Sequence, residues 1–150
     1  MKACFMGLGY IGLPSAIIAA KHGISVHGVD INPSVVEKTN NGVLHIIEPG
    51  MEDLLKEVIS NGMFQASTSP VECDAYFIVV PTPFKDDHQP DVSYVAAATQ
   101  AVLPLLKEGD LYVIESTSPV GTTEMMAELI FSQRPELRDN IYIAYCPERV

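Results

Sequence analysis

Gly7-Leu8-Gly9-Tyr10-Ile11-Gly12, a GxGxxG lying between an apolar run and a helical pattern, constrains this chain more than any other feature. Glycines at that spacing permit a tight strand-to-helix turn, close approach of backbone to a pyrophosphate, and close packing of the helix on the strand. The flanks agree. Residues 3–6 are apolar and read as a strand, and Ile11, Leu13, Ala16, Ile17 and Ala20 follow helical spacing until Gly23. Pro14 falls in the first helical turn, where backbone N–H groups lack intrahelical partners. Ser25 to Val29 reads as a second strand and ends at Asp30, 18 positions after Gly12. A carboxylate there can accept both hydroxyls of a ribose and repels a 2′-phosphate. A bare GxGxxG is often accidental, but strand, helix and acid together point to a dinucleotide site that prefers NAD over NADP.

The same alternation runs through the rest of the chain. Asn32-Pro33 is an N-cap with proline at the first helical position, opening a helix to about Asn40 that Asn41-Gly42 stops. A second helix from about Met51 to Asn61-Gly62 leads to a short strand over residues 64–67. Residues 75–80 form a continuous apolar run, as expected of a parallel strand covered on both faces, and Pro81-Thr82-Pro83 ends it. A loop precedes a helix over residues 93–106, which Pro104 should kink or shorten. A strand at 111–115, a helix at 121–132 and a strand at 141–145 complete the pattern. Six strands with intervening helices predict an α/β domain, a Rossmann-type doubly wound parallel sheet of order 3-2-1-4-5-6 spanning residues 1–150.

Composition excludes several functions. The 150 residues are 47% apolar and 19% charged, enough for a real core without disulfides or structural metal. Nine basic residues against 19 acidic ones give a net charge of −10, which argues against nucleic acid and anionic membranes. Three cysteines without close spacing form no disulfide framework or metal motif and fit a reducing, cytoplasmic setting. Lys21 and His22 interrupt the first helix well short of a membrane span, and the strand beginning near Met1 leaves no room for a signal peptide.

Ligands of open α/β sheets bind at the carboxyl ends of the strands, so the other loops there are candidates too. Pro81-Thr82-Pro83 holds an extended turn that can present the Thr82 hydroxyl to a ribose, or else merely terminates a strand. Ser116-Thr117-Ser118-Pro119-Val120-Gly121-Thr122-Thr123 brings several hydroxyls to a positive helix end, of which N-capping explains one. Cys146-Pro147-Glu148-Arg149 adds a carboxylate and a guanidinium at the same edge. Cys4 reads as core and Cys146 as a buried strand-end thiol. His45 and His88 read as solvated, and no metal site is expected.

These segments, with Gly28-Val29-Asp30-Ile31-Asn32, Glu48-Pro49-Gly50, Asp91-Val92-Ser93-Tyr94-Val95 and Glu115-Ser116-Thr117, resemble the N-terminal domain of the UDP-glucose/GDP-mannose dehydrogenases over the whole chain. Residues 84–91, Ser116 to Gly121 and Tyr145-Cys146-Pro147-Glu148-Arg149-Val150 look like the branch acting on UDP-N-acetyl-D-mannosamine. The resemblance implies NAD-dependent oxidation of a sugar-nucleotide C6 alcohol to a carboxylate, through two hydride transfers and a cysteine-linked intermediate. It implies that the nucleophilic cysteine, an oxyanion-stabilising lysine, the dimer helix and the UDP-binding domain lie beyond Val150. The chain would then be an inactive fragment of a homodimeric enzyme with a UDP-N-acetylhexosamine substrate. Carried over, Gly7, Gly9, Tyr10, Ile11, Gly12, Asp30, Pro81, Thr82, Thr117 and Thr123 would hold NAD. Thr117 and Glu148 would position and activate water, and Arg149 and Val150 would contact the substrate. Two alternatives stay open: a 3-hydroxyacid or 6-phosphogluconate-type dehydrogenase domain, and a stand-alone dinucleotide-binding module without catalysis.

Overall fold

The apolar segment leading into Gly7 forms the central strand β1 (Lys2–Met6), and everything else is arranged around it. A computed structural model describes residues 1–84 and 90–147. The remaining strands are β2 (Ser25–Val29), β3 (Phe64–Ser67), β4 (Ala75–Ile78), β5 (Leu111–Ile114) and β6 (Tyr142–Tyr145). They form one parallel sheet of order β3-β2-β1-β4-β5-β6, the order expected from the sequence. The helices are α1 (Gly12–Lys21), α2 (Pro33–Asn40), α3 (Met51–Ser60), α4 (Ser93–Val102) and α5 (Thr122–Gln133). None of the described helices is long and apolar enough to cross a membrane.

Because side chains alternate along each strand, the sheet supports two separate cores. On one face Cys4, Met6, Tyr76, Ile78, Tyr112 and Ile114 pack against Val95 and Val102 of α4 and Met126 and Ile130 of α5. On the other, Ala3, Phe5, Val26 and Phe64 pack against Leu13 and Ile17 of α1 and Leu55 and Val58 of α3. The polar atoms taken into the first core are paired: the Tyr112 hydroxyl lies 2.6 Å from Thr99 Oγ1, which itself donates to the Val95 carbonyl at 2.7 Å. Burial pushes the Tyr112 phenol up to about 12. Cys4, a free thiol hydrogen-bonded with the Cys73 thiol and buried, is held well above the usual thiol range, so it is an inert core residue.

Local rules account for most boundaries. Asn32 Oδ1 accepts from Ser34 N at 3.0 Å and caps α2, with Pro33 at the first position. Pro104 does what a mid-helix proline must: α4 stops at Val102 and a 3-10 turn (Leu103–Leu105) follows. Three details depart from expectation. β4 ends at Ile78 rather than at residue 80: the Ile78 carbonyl, which takes its ladder bond from Glu115 N, accepts a second one from Ser116 N, and Ser116 Oγ bonds the Val80 carbonyl in place of a strand neighbour. Cys146 is exposed, not buried, because it follows an edge strand with a neighbour on one side only, where Tyr142 is also 69% exposed. His45 is half-buried, and its Nδ1 has no hydrogen-bond partner among the described residues, so it is not the solvated side chain expected.

Candidate functional site

A crevice of about 320 Å³ opens at the carboxyl ends of the strands. Its floor is the glycine turn. Gly7 leaves β1 with φ +110°, and a Cβ there would sit 2.3 Å from the Val79 carbonyl oxygen. A Cβ on Gly12 would lie 2.0 Å from the Gly7 oxygen. Those two glycines are therefore demanded by the chain's own packing. Gly9 is different: its φ is not positive and a Cβ would meet nothing within 4 Å. The fold gives no reason for glycine at 9, but Gly9 lines the crevice, and the space its missing side chain leaves is the room a ligand needs to reach the backbone. No side chain caps α1, and within its first turn Leu13 N and Ser15 N are already bonded to the Gly9 and Ile11 carbonyls, each at 3.1 Å, so an anion at this helix end would meet the backbone of the glycine turn and the positive end of the helix dipole.

At one end of the crevice Asp30 is half-buried and fixed by two backbone donors. Leu8 N donates to Oδ2 at 3.2 Å and Asn32 N to Oδ1 at 2.9 Å. These bonds orient the carboxylate and leave its remaining lone pairs for other donors. At the other end the loops after β4 and β5 are tied together. Thr82 Oγ1 donates to the Thr117 carbonyl at 2.6 Å, and Ser116 Oγ bonds the carbonyls of Ile78 and Val80 at 3.2 and 2.7 Å. The Tyr145 hydroxyl holds both Ser118 N (3.1 Å) and Ser118 O (3.2 Å) from β6. The hydroxyls of this region thus serve mainly to build the wall. The Thr82 proton goes to a backbone oxygen, and α5 is capped by Gly121, with φ +90°, rather than by a hydroxyl.

Gly7, Gly9, Tyr10, Ile11, Asp30, Pro81, Thr82 and Thr117 converge on the crevice. Gly12 does not line it and acts through packing; Thr123 lies within the first turn of α5 and is not among its lining residues. Glu148, Arg149 and Val150 lie outside the described residues, as does His88. Four lining residues were not assigned to the site from sequence: Val79 and Val80, read as strand; Ser116, read as one of several loop hydroxyls, whose side chain is internal; and Glu115, whose signal is its phase with Leu111 and Val113 along β5. A second cavity of about 350 Å³ adjoins the Asp30 end and is mostly apolar, with Ile31, Pro70, Tyr94 and Ala98 among its walls. Its signal in the sequence is an apolar residue directly after the acid, Ile31, which the structure leaves 89% exposed.

No described lining residue of the crevice is basic. An anionic pyrophosphate would therefore be held by backbone N–H groups and the α1 dipole rather than by side-chain cations. The glycine turn, the anchored acid and the apolar slot beside it fit NAD.

The comparisons with known proteins agree with this geometry. The model of the UDP-glucose/GDP-mannose dehydrogenase family, NAD binding domain, matches residues 1–150. The UDP-N-acetyl-D-mannosamine dehydrogenase of Escherichia coli strain K12 is 49% identical over 97% of this chain, and the NDP-N-acetyl-D-galactosaminuronic acid dehydrogenase of Ralstonia nicotianae is 48% identical over 97%. The chain spans 36% of the length of each. The structure of the UDP-N-acetyl-mannosamine dehydrogenase Cap5O from Staphylococcus aureus superposes with a TM-score of 0.94 at 41% identity, covering 100% of this chain and 37% of that one. The chain belongs to the UDP-glucose/GDP-mannose dehydrogenase family, and it is that family's NAD-binding domain.

Proposed function

We propose that this chain is the cofactor-binding part of an NAD-dependent UDP-N-acetyl-D-mannosamine 6-dehydrogenase, which oxidises the sugar C6 alcohol to a carboxylate. The observation that carries the reading is Gly9, a glycine that the fold does not require and that opens the crevice between α1 and Asp30. The level of identity to relatives named for N-acetylhexosamine substrates supports the substrate class.

NAD, when bound, supplies the acceptor for the hydride withdrawn from C6. The backbone of Gly7, Gly9, Tyr10 and Ile11 would hold the pyrophosphate, with Gly12 packing α1 against the turn, and Asp30 would accept the adenosine ribose hydroxyls and exclude a 2′-phosphate. The apolar slot at Ile31 and Tyr94 takes the adenine. Pro81, Thr82 and Thr117 wall the nicotinamide half, with Thr123 supporting their loop through α5. Thr117 positions a water and Glu148 takes its proton as general base, a contribution of roughly 10²–10⁴-fold for such groups. Arg149 and Val150 begin the contact with the sugar nucleotide. The remaining length of the protein supplies the nucleophile, the UDP site and the homodimer contact, so residues 1–150 alone bind NAD weakly and turn nothing over. A reducing cytoplasm suits three cysteines without a disulfide framework.

The test uses the full-length protein with NAD and UDP-N-acetyl-D-mannosamine, with the galacto and gluco isomers as competitors. Two NADH formed per sugar consumed, and a UDP-aminouronate detected by mass spectrometry, is the expected result. NADH formation only with a 3-hydroxyacid or 6-phosphogluconate, or with no substrate at all, overturns the reading.

A further inference from the structure

Glu115 is the residue of the crevice that the glycine turn and Asp30 leave unexplained. It follows β5 directly, and its backbone N–H still bonds the Ile78 carbonyl at 2.9 Å as a ladder residue would. Strand alternation therefore sets its side chain on the face of Leu111 and Val113, toward α1, and not in the core that receives Tyr112 and Ile114. There Ser15 Oγ, in the first turn of α1, donates to Glu115 Oε1 at 3.4 Å. Glu115, Tyr10 and Ile11 form the wall shared by the crevice and a wider groove beside it, which Glu48 also lines.

Asp30 and Glu115 stand at opposite ends of the crevice. In the order β2-β1-β4-β5, three strand spacings of about 4.8 Å separate their strands, or about 14 Å. A dinucleotide laid across the strand ends, with one ribose on Asp30, brings its other base toward β5. In NAD+ that base is a cationic pyridinium; in NADH it is neutral.

We propose that Glu115 selects the oxidation state of the cofactor, with its carboxylate favouring the cationic ring of NAD+ over the neutral ring of NADH. The inference rests on the dinucleotide reading of the crevice. A negative charge beside a site walled by Ile11, Val79 and Val80 acts through a medium less polarisable than water, so it discriminates between ligands that differ by one charge. Asp30, at the ribose end, does not distinguish the two forms because their adenosine halves are identical. In a reaction that withdraws two hydrides, this preference speeds the exchange of spent NADH for NAD+ between steps.

The test is an NMR shift titration of the isotopically labelled 150-residue chain with NAD+ and, separately, with NADH, which reads dissociation constants into the millimolar range. The wild-type chain is expected to bind NAD+ more tightly. Glu115→Gln, which keeps the shape and removes the charge, should shift the ratio of the two constants toward NADH by about three- to tenfold. Glu48→Gln removes a carboxylate that lines the groove but not the crevice, and should leave the ratio within about twofold. The same spectra show whether each variant is folded. An unchanged ratio in a folded Glu115→Gln that binds both forms overturns the proposal and leaves the dinucleotide reading standing. Absence of binding of either form by the wild-type chain overturns the dinucleotide reading itself, and this inference with it.

Discussion

The Thr82 hydroxyl donates to the carbonyl oxygen of Thr117 at 2.6 Å, joining two loops that are 35 residues apart in the chain. With Ser116 bonded to the Ile78 and Val80 carbonyls, this contact makes the loops after β4 and β5 one continuous wall. Thr82→Val keeps the branched shape and removes the donor. It should lower stability by about 0.5–1.5 kcal/mol, the usual net contribution of such a bond, and weaken NAD binding by up to about tenfold through a looser wall. Chemical denaturation and titration with NAD check the two parts separately. Unchanged affinity would mean that the tie is structural only.

Gly7 and Gly9 should respond to alanine in opposite ways. At Gly7 the φ of +110° and the approach to the Val79 carbonyl make Gly7→Ala costly, about 2–4 kcal/mol of stability from backbone strain and overpacking together. Gly9→Ala has open space around its new methyl, so the melting temperature should barely move while NAD affinity falls at least tenfold. Calorimetric unfolding beside an NAD titration decides it. A Gly9→Ala variant that binds NAD as the wild type does would show that the ligand does not approach the backbone there.

Asp30→Ala removes the acceptor of two backbone N–H groups as well as the proposed ribose ligand. NAD binding should weaken by about 1.5–3 kcal/mol, since hydrogen bonds to a charged acceptor are worth that much, and the preference for NAD over NADP should narrow. Titration with both dinucleotides measures this. Equal losses for NAD and NADP would place the carboxylate away from the ribose.

His27 gives the domain an acid sensitivity unrelated to the crevice. Its ring lies inside the sheet, with Nε2 2.8 Å from Ser67 Oγ, and burial lowers its pKa below the ordinary 6.5. The unfolded chain therefore binds a proton more readily than the folded one between those two values. The stability due to neutral His27 is complete above about pH 6.5 and declines as the pH falls through the depressed folded value. Urea midpoints at about pH 7.5 and 5.5 should fall further apart in the wild type than in His27→Gln. An equal difference in both proteins would rule out His27 as the group responsible.

Much of this protein is written in short-range chemistry. The glycine spacing, Asp30 after an apolar strand, Asn32-Pro33 at a helix start and Pro104 at a helix end each act within a turn or two, so their consequences are legible from residue order alone. Strand order followed from the alternation of strand and helix, because few connections satisfy a doubly wound sheet. Tertiary structure decided what depends on atoms distant in sequence. Whether a threonine hydroxyl faces a ligand or a backbone oxygen depends on which carbonyl lies opposite it, and Thr82 met Thr117. Whether Cys146 is buried depends on what stands beyond β6, and β6 is the sheet edge. Glu115 read as the last residue of a strand until the fold set Ser15 against it and gave it two cavities to line. Backbone preference is local, but the partner of a polar side chain is fixed only when the whole chain has closed around it.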